Sequence, residues 1–563
     1  MTKRTTKKAN AAKSRKTAET QSAPERWMPW VVAGIALILF ATGFSNPMVA
    51  MDDHSATVNN PVIRDFSLKI FTQFNLGMYA PVTWLGYALA QAFGDGAPFW
   101  YHLLSAAVHA ANAALVFRLF HRLESNTTVA FFIALFFAIH PMQVEAVSWI
   151  AAFSTPLFAL FSLLALHAYV RHTEQAPWSK SYWMAVGFFV LACLSKSTAV
   201  VLPLSLMVVD LWLKRAPLSR RSILEKAPFF VLALGFGLLA FYSRAQAGHP
   251  GESLAGDFSL TDRALMAAHT VLFYWTKILV PLGLSIWYPF EKTAAGGWHW
   301  TYYAAPVTLA VLLGLVWRSR NTAPFVLHGV LFYLANIVLS LPFYTVGTFE
   351  LRGDRYNYLA MLGIFALLAA LPAFVKKKSP GLAERLWVGL AALGLFWLLI
   401  SVNRIRDWGN TQVLIDTAVE HQGDNFGKAY LWKGMDYGDK GDVKGALENF
   451  SKAIRVNPEL TDAYKFRGGL LGIAKQYERS LEDLDKYLEK IPDDPEILYN
   501  RSLTLVNLKR WQEALNDLNK TLELAPEFIR AYRARGNVRK QLGDTEGGEA
   551  DLQEFERRSS AEL

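Results

Sequence analysis

Apolar residues in this chain come in long runs, at about 30–51, 99–117, 128–140, 153–170, 182–195, 199–213, 227–242, 303–317, 324–342, 358–375 and 386–402, with short polar stretches between them. Crossing ~30 Å of hydrocarbon takes about 20 helical residues. The spacing therefore predicts a polytopic bundle of about eleven transmembrane helices within residues 27–403. A further apolar stretch, 264–290, holds Tyr274, Trp275, Trp287 and Tyr288 and does not fit an alternation of sides. Aromatic side chains favour the membrane interface, so it reads as a re-entrant or interfacial element on the outer face.

After residue 403 the period changes. Gly434, Gly468 and Gly536 are separated by multiples of 34, as are Ala446, Ser480, Ala514 and Gly548, and Pro458, Pro492 and Pro526. Small residues where paired helices meet, with Pro closing the second helix, are the tetratricopeptide pattern. Four repeats are expected over 427–563, the last without its closing Pro, with 404–426 as a linker. The fold class is all-α, a membrane helical domain followed by an α-solenoid whose stacked repeats bury a face that none buries alone.

Charge adds topology. The chain carries a formal net charge of +10, but residues 424–563 hold 23 Lys+Arg against 26 Asp+Glu, a net of −3, leaving +13 before them. The positive charges cluster at the N-terminus, Arg118 and Arg122, Arg171, Lys214 to Arg221, Arg318 and Arg320, and Lys376 to Lys378. By the positive-inside rule these mark the cytoplasmic loops. The basic balance is thus a membrane signal, and no nucleic-acid partner is expected. Residues 1–26, with eight Lys/Arg and two Glu, read as a disordered basic cytoplasmic tail. The single cysteine, Cys193, excludes an internal disulfide and a Cys-based zinc site.

The alternation leaves several polar groups on the outer side, where charges beside apolar helices mark function more often than surface charges do. Asp52, Asp53 and His54 follow the first apolar run. An outer carboxylate there suits a general base or a divalent cation; Asp-Asp and Asn-Asn-Pro are also ordinary turn chemistry. His140 and Glu145, Lys196, the run Arg352 to Tyr356 with its Asp354 and Arg355, and Arg404 with Arg406 and Asp407 join them. His102 and His109, seven apart, share one helix face. Together these residues offer carboxylates and cations around one outward cavity, able to serve a base and an anion clamp. No spacing here is that of a metal site, and no metal or other cofactor is expected.

The chain resembles the transmembrane and tetratricopeptide-repeat-containing O-mannosyltransferases and their bacterial relatives, of the multi-spanning GT-C glycosyltransferase type. The matching pieces, in family order, are Asp52-Asp53 with Ala56 and Asn60-Pro61; Tyr79 with Pro81; Tyr101-His102 with His109; Phe137 to Pro141 with Glu145 to Val147; Leu194 to Lys196 before Pro203 and Asp210; Asp354 to Tyr356 with Tyr358-Leu359; and the repeats. Two positions depart from it. Ala80 stands where the family usually has Arg, and Ser197 where it commonly has Glu, which bears on the donor sugar more than on the fold.

The resemblance implies transfer of mannose or another hexose from a polyprenyl-phosphate donor to Ser/Thr hydroxyls of acceptor proteins, on the extracytoplasmic side and with inversion. Asp52 or Asp53 is expected as general base, and Arg352, Arg355 and Lys196 as ligands of the departing phosphate. His54, Tyr79, His102, His140, Glu145, Asp354 and Tyr356 would support the site or meet the acceptor. The expected partners are the lipid-linked donor, membrane lipid and an acceptor protein held by the repeats. The expected place is a bacterial inner membrane, with active site and repeats in the periplasm. Two alternatives compete: a ligase moving a whole glycan from a polyprenyl diphosphate, and a membrane-anchored scaffold without enzymatic activity.

Overall fold

The computed structural model describes residues 23–49, 51–64, 68–75, 77–246, 258–286, 288, 290, 297–342, 352–422 and 427–561. Of the tail expected over 1–26, residues 1–22 lie outside them and 23–26 open the first helix, Ala23–Ala41. Regular elements among the described residues are all helices. The chain divides into two compact units, Met1–Asn410 and Thr411–Leu563.

In the first unit each of the eleven apolar runs coincides with an apolar helix. Pro98–Glu124, Ile150–Thr173, Arg220–Ser243, Trp300–Ser319 and Pro380–Asp407 are long and apolar enough to cross a membrane. Arg26–Ala41, Thr127–Ile139, Lys180–Ser195, Ser197–Trp212, Pro324–Ser340 and Leu362–Val375 are shorter. The first run is not one helix to Met51. It ends at Ala41, because the following turn is needed elsewhere: a Cβ on Gly43 would sit 2.8 Å from the Ile405 side chain, and Asn46 Nδ2 donates to the Ile405 carbonyl at 2.9 Å. The Asp52-Asp53 loop therefore stands apart from the helix exit.

Stretch 264–290 forms an amphipathic helix, Leu260–Leu279. Met266, Thr270, Tyr274 and Ile278 are buried on one face, while Leu260 and Leu279 at its ends are exposed.

Breaks between helices follow local chemistry and place the polar residues. Helix Thr127–Ile139 stops at His140, whose extended backbone is what a following proline demands. Helix Lys180–Ser195 stops at Lys196, also extended. Where helices Pro324–Ile337 and Leu362–Val375 cross, a Cβ on Gly363 would lie 2.1 Å from the Gly329 carbonyl oxygen. Two glycines let these backbones touch, the usual solution where lipid supplies no hydrophobic drive for helix association.

The second unit opens with helix Thr411–Gln422 and continues in four helix pairs, from Gly427–Asp439 with Val443–Val456 to Ile529–Gln541 with Thr545–Ala561. The described part of the segment expected as a linker, 404–426, is largely helical: Pro380–Asp407 ends within it and Thr411–Gln422 follows after three residues. Ala446, Ser480 and Ala514 are fully buried at the helix contacts. A second 34-residue series accompanies them. Arg467, Arg501 and Arg535 each grip the Asp sixteen residues on, Asp483, Asp517 and Asp551, through two bonds of 2.7–2.8 Å. Paired this way, the fork of Arg fixes both position and angle of the facing helix.

Candidate functional site

Arg355 is the centre of the polar cluster. It lies in a short 3-10 turn, Asp354–Asn357, and pairs with the fully buried Glu145 of helix Gln143–Ser148. Its own backbone N–H donates to the second Glu145 oxygen at 3.2 Å. The guanidinium stands 4.9 Å from the centre of the Trp149 ring and 4.8 Å from that of Tyr356. Gly353 makes this contact feasible, since a Cβ there would come within 3.1 Å of an Arg355 nitrogen and 3.4 Å of Glu145 Oε1. Both backbone polar groups of Gly353 are satisfied by the Tyr274 hydroxyl, at 3.0 Å each.

Lys196 joins Arg355 from another part of the chain. The two line one cleft together with Tyr356, Phe158, Asn336 and Leu359. Lys196 Nζ donates to Thr155 Oγ1 at 2.7 Å. Burial, then the charge of Arg355, lowers its pKa to about 7, against the pull of Glu145. Two cations of this kind share a partly dry cleft, and one carboxylate, Glu145, is paired with Arg355 and felt by Lys196. Such an arrangement gains from an added anion.

The two aspartates of the opening loop part company. Asp53 is buried, and its carboxylate oxygens accept from Val49 N at 3.0 Å and Ala151 N at 2.8 Å. Burial raises its pKa to about 7 in spite of those bonds. Asp52 is exposed. Asp53 thus pins the loop to the 3-10 turn Ile150–Ala152, which follows directly on Trp149 under Arg355. The loop and the cleft grip opposite ends of one short segment.

The other expected site residues serve as joints. Arg352 is buried between the Phe273 and Phe290 rings, 4.5 Å from each centre, with its Nε 3.3 Å from the Tyr288 carbonyl. It does not line the cleft of Lys196 and Arg355. Asp354 pairs with Arg404 at 2.8 Å and accepts from the Tyr288 hydroxyl at 2.7 Å. His140 accepts from Met142 N at 3.2 Å and meets the Ile278 carbonyl at 2.9 Å. His102 meets the Asn46 carbonyl at 3.1 Å. Tyr79 donates to the Phe71 carbonyl at 2.9 Å, and His54 is partly exposed in the Asp52 loop. Among the described residues, no three His, Cys, Asp or Glu groups converge as a metal site would need.

Some partners escaped the sequence reading. Trp149 and Thr155 look like ordinary apolar-helix residues, yet they support the two cations. His109, read as sharing a helix face with His102, and Asn112 both reach the Tyr358 hydroxyl, at 2.7 and 3.0 Å. A buried knot also went unread. Asp210 accepts from Tyr169, Arg215, Ser222 and Lys226, and its signal was the density of charge at 210–226 between two apolar runs.

Comparison with known proteins agrees with the pattern. The sequence model of the tetratricopeptide repeat family matches residues 427–460, the first helix pair. The chain is 26% identical over 434 residues to a protein O-mannosyl-transferase of Caenorhabditis elegans, F38B6.6, covering 72% of this chain and 59% of the relative. It is 23% identical over 434 residues to the Mus musculus protein O-mannosyl-transferase TMTC3, with 68% and 44% covered. To mouse TMTC2 it is 33% identical over 112 residues, 20% and 13% of the two chains. The chain therefore spans less than two thirds of the length of each. Over 68–72% of its length the chain is thus similar to protein O-mannosyl-transferases, and it carries a tetratricopeptide repeat.

Proposed function

We propose that this protein is an integral-membrane glycosyltransferase that moves mannose or another hexose from a polyprenyl-phosphate donor to Ser/Thr hydroxyls of an acceptor protein. The observation that carries the reading is the cleft that Lys196 and Arg355 line together, with Glu145 as the nearby counter-charge. A donor phosphate placed there relieves their repulsion. The leaving phosphate, which gains charge as the bond breaks, gains more still from fixed cations in a site of low dielectric.

The acceptor hydroxyl oxygen attacks the anomeric carbon while the bond from that carbon to the phosphate oxygen breaks, its electron pair leaving with polyprenyl phosphate. The hydroxyl proton goes to the Asp52 carboxylate, exposed where Asp53 is buried and occupied. A positioned base of this kind contributes about 10²–10⁴ in rate. One displacement inverts the anomeric configuration. Asp53 holds the loop, Glu145 holds Arg355, and the repeats hold the acceptor, raising its effective concentration. The reaction runs on the extracytoplasmic face, the periplasmic side of an inner membrane in a bacterium, because the positive loops lie opposite.

Intact-mass measurement of extracytoplasmic proteins tests this, using cells with the wild-type gene, Asp52→Asn, Lys196→Gln or no gene. A single-hexose shift with wild type, lost in both variants, is the expected result. A shift that survives Lys196→Gln removes the phosphate cleft, and no shift with wild type removes the activity. A shift of several sugars at once would point to transfer of a whole glycan.

A further inference from the structure

Arg355 does not hold its own position. Beside Glu145 and Tyr356, the Trp149 ring beneath it and the neighbouring Asp354 both lead to the same place. Asp354 is paired with Arg404 at 2.8 Å. The Trp149 ring is stacked on Trp408, with centres 5.7 Å apart and planes at 26°. Arg404 and Trp408 are four residues apart, so they lie on one face of the last turn of helix Pro380–Asp407. Both are buried.

A buried arginine at this point is costly. Replacing a buried ion pair by apolar groups of similar volume is often neutral or stabilising, so its presence is weak evidence for stability alone. The Arg404 guanidinium also donates to the Leu284 and Ser285 carbonyls, at 3.0 and 3.3 Å. One side chain thereby ties three things together: the end of the last apolar helix, the chain after helix Leu260–Leu279, and the turn that carries Arg355. That end is itself locked, since Asn46 binds the Ile405 carbonyl at 2.9 Å.

We infer that Arg404 and Trp408 are positioning residues that set where Arg355 presents its guanidinium to the donor phosphate. The inference rests on the proposed function above. Misplacing a reacting-site group by about 1 Å costs up to 10²-fold, and Trp408 supports Trp149 through a contact that a smaller side chain would abandon. Neither residue lines the cleft itself, and the loss falls on the donor because the group they position, Arg355, is the one that meets the donor phosphate.

The test uses the full-length protein in lipid nanodiscs, a polyprenyl-phosphate hexose donor and a Ser/Thr acceptor peptide. Trp408→Leu and Trp408→Phe are compared with Lys196→Gln, with melting midpoints measured alongside. Trp408→Leu should raise the donor KM and the inhibition constant of polyprenyl phosphate by roughly tenfold or more. Its acceptor KM should stay put, and its midpoint should fall by only a few degrees. Trp408→Phe, which keeps a ring against Trp149, should recover most of the loss. The Arg404→Met/Asp354→Asn pair supplies a second route, with stability kept and donor KM raised. Positioning is overturned if Lys196→Gln raises the donor KM and Trp408→Leu does not, or if donor and acceptor KM rise together with loss of fold. If Lys196→Gln leaves the donor KM unchanged, the phosphate cleft itself is wrong and the positioning falls with it.

Discussion

Arg355→Met separates the two jobs assigned to Arg355. In the wild type Glu145 is fully buried, and its carboxylate meets the Arg355 side chain and the Arg355 backbone N–H. Removing the guanidinium leaves a buried carboxylate with the backbone donor and no cation bonded to it, Lys196 being only nearby, a loss of about 3–5 kcal/mol. At ~2 °C per kcal/mol for a unit of this size, the melting midpoint should drop by roughly 6–10 °C. The double variant Arg355→Met/Glu145→Gln removes the stranded charge, while the amide oxygen still accepts from the backbone N–H. Its midpoint should return most of the way to wild type, and sugar transfer should stay abolished. Thermal unfolding of the purified protein in detergent, read by size exclusion, measures the first quantity, and hexose transfer measures the second. If Arg355→Met melts like wild type, or if the double variant is no more stable than the single one, the pair is not what holds Glu145. Recovery of transfer in the double variant would falsify the phosphate role of Arg355.

Three further outcomes follow from the same contacts. With its pKa lowered to about 7, Lys196 is charged below that pH and neutral above it, so kcat/KM for the donor should fall about tenfold per pH unit on the alkaline side. Lys196→Arg should shift or remove that limb in a pH-rate profile, and a limb unchanged in that variant assigns it to another group. Asp53, pushed up to about 7, binds its proton in the folded state where an unfolded carboxyl does not, so stability rises as pH falls from 7 to 5, on the order of 2 kcal/mol. Melting midpoints across that range should lose this part of the slope in Asp53→Asn and keep it in Asp52→Asn; equal slopes in all three proteins would refute the assignment. Gly363→Ala forces a Cβ to within 2.1 Å of the Gly329 carbonyl oxygen and should cost about 1–3 kcal/mol by parting two helices, whereas a midpoint within a degree of wild type would mean that the helices are not in backbone contact.

Helices were legible because hydrophobicity has a length. Each apolar run between 30 and 402 turned out to be one apolar helix, and the 34-residue spacing of Gly and Pro marked the helix pairs. Ends were less legible. The run from Trp30 to Met51 holds a turn-forming stretch, Thr42-Gly43-Phe44-Ser45-Asn46-Pro47, and the helix stops just before it, at Ala41. What no local pattern carries is the partner of that turn, Ile405, 359 residues from Asn46. The same limit applies to the site. Arg352 and Arg355 look alike in sequence, three apart in one charged run. One is enclosed by Phe273 and Phe290, and the other opens on the Lys196 cleft. Which is which depends on helices that arrive from elsewhere in the chain. Asp52 and Asp53 differ in the same way, since only the fold brings Ala151 N to the second of them.

The number of cations in the cleft bears on the size of the donor headgroup. With Arg352 committed elsewhere, Lys196 and Arg355 set against Glu145 leave a formal +1. A sugar attached to a polyprenyl monophosphate is a phosphodiester and carries one negative charge, which closes the balance in the ground state. As the sugar departs, the leaving phosphate takes on a second charge, and the cations meet it without an intervening solvent shell, the condition under which fixed charges favour a transition state over its substrate. A diphosphate donor would start with one negative charge in excess and end with two or more, in a cleft of low dielectric where an unpaired charge is expensive. It would need a further cation at the cleft, from the protein or as a bound metal. The proposed reading therefore predicts that polyprenyl phosphate inhibits transfer by occupying this cleft, and that polyprenyl diphosphate inhibits more weakly unless divalent cations are added. Tighter inhibition by the diphosphate in the presence of a chelator would refute the charge argument and move the glycan-ligase reading ahead.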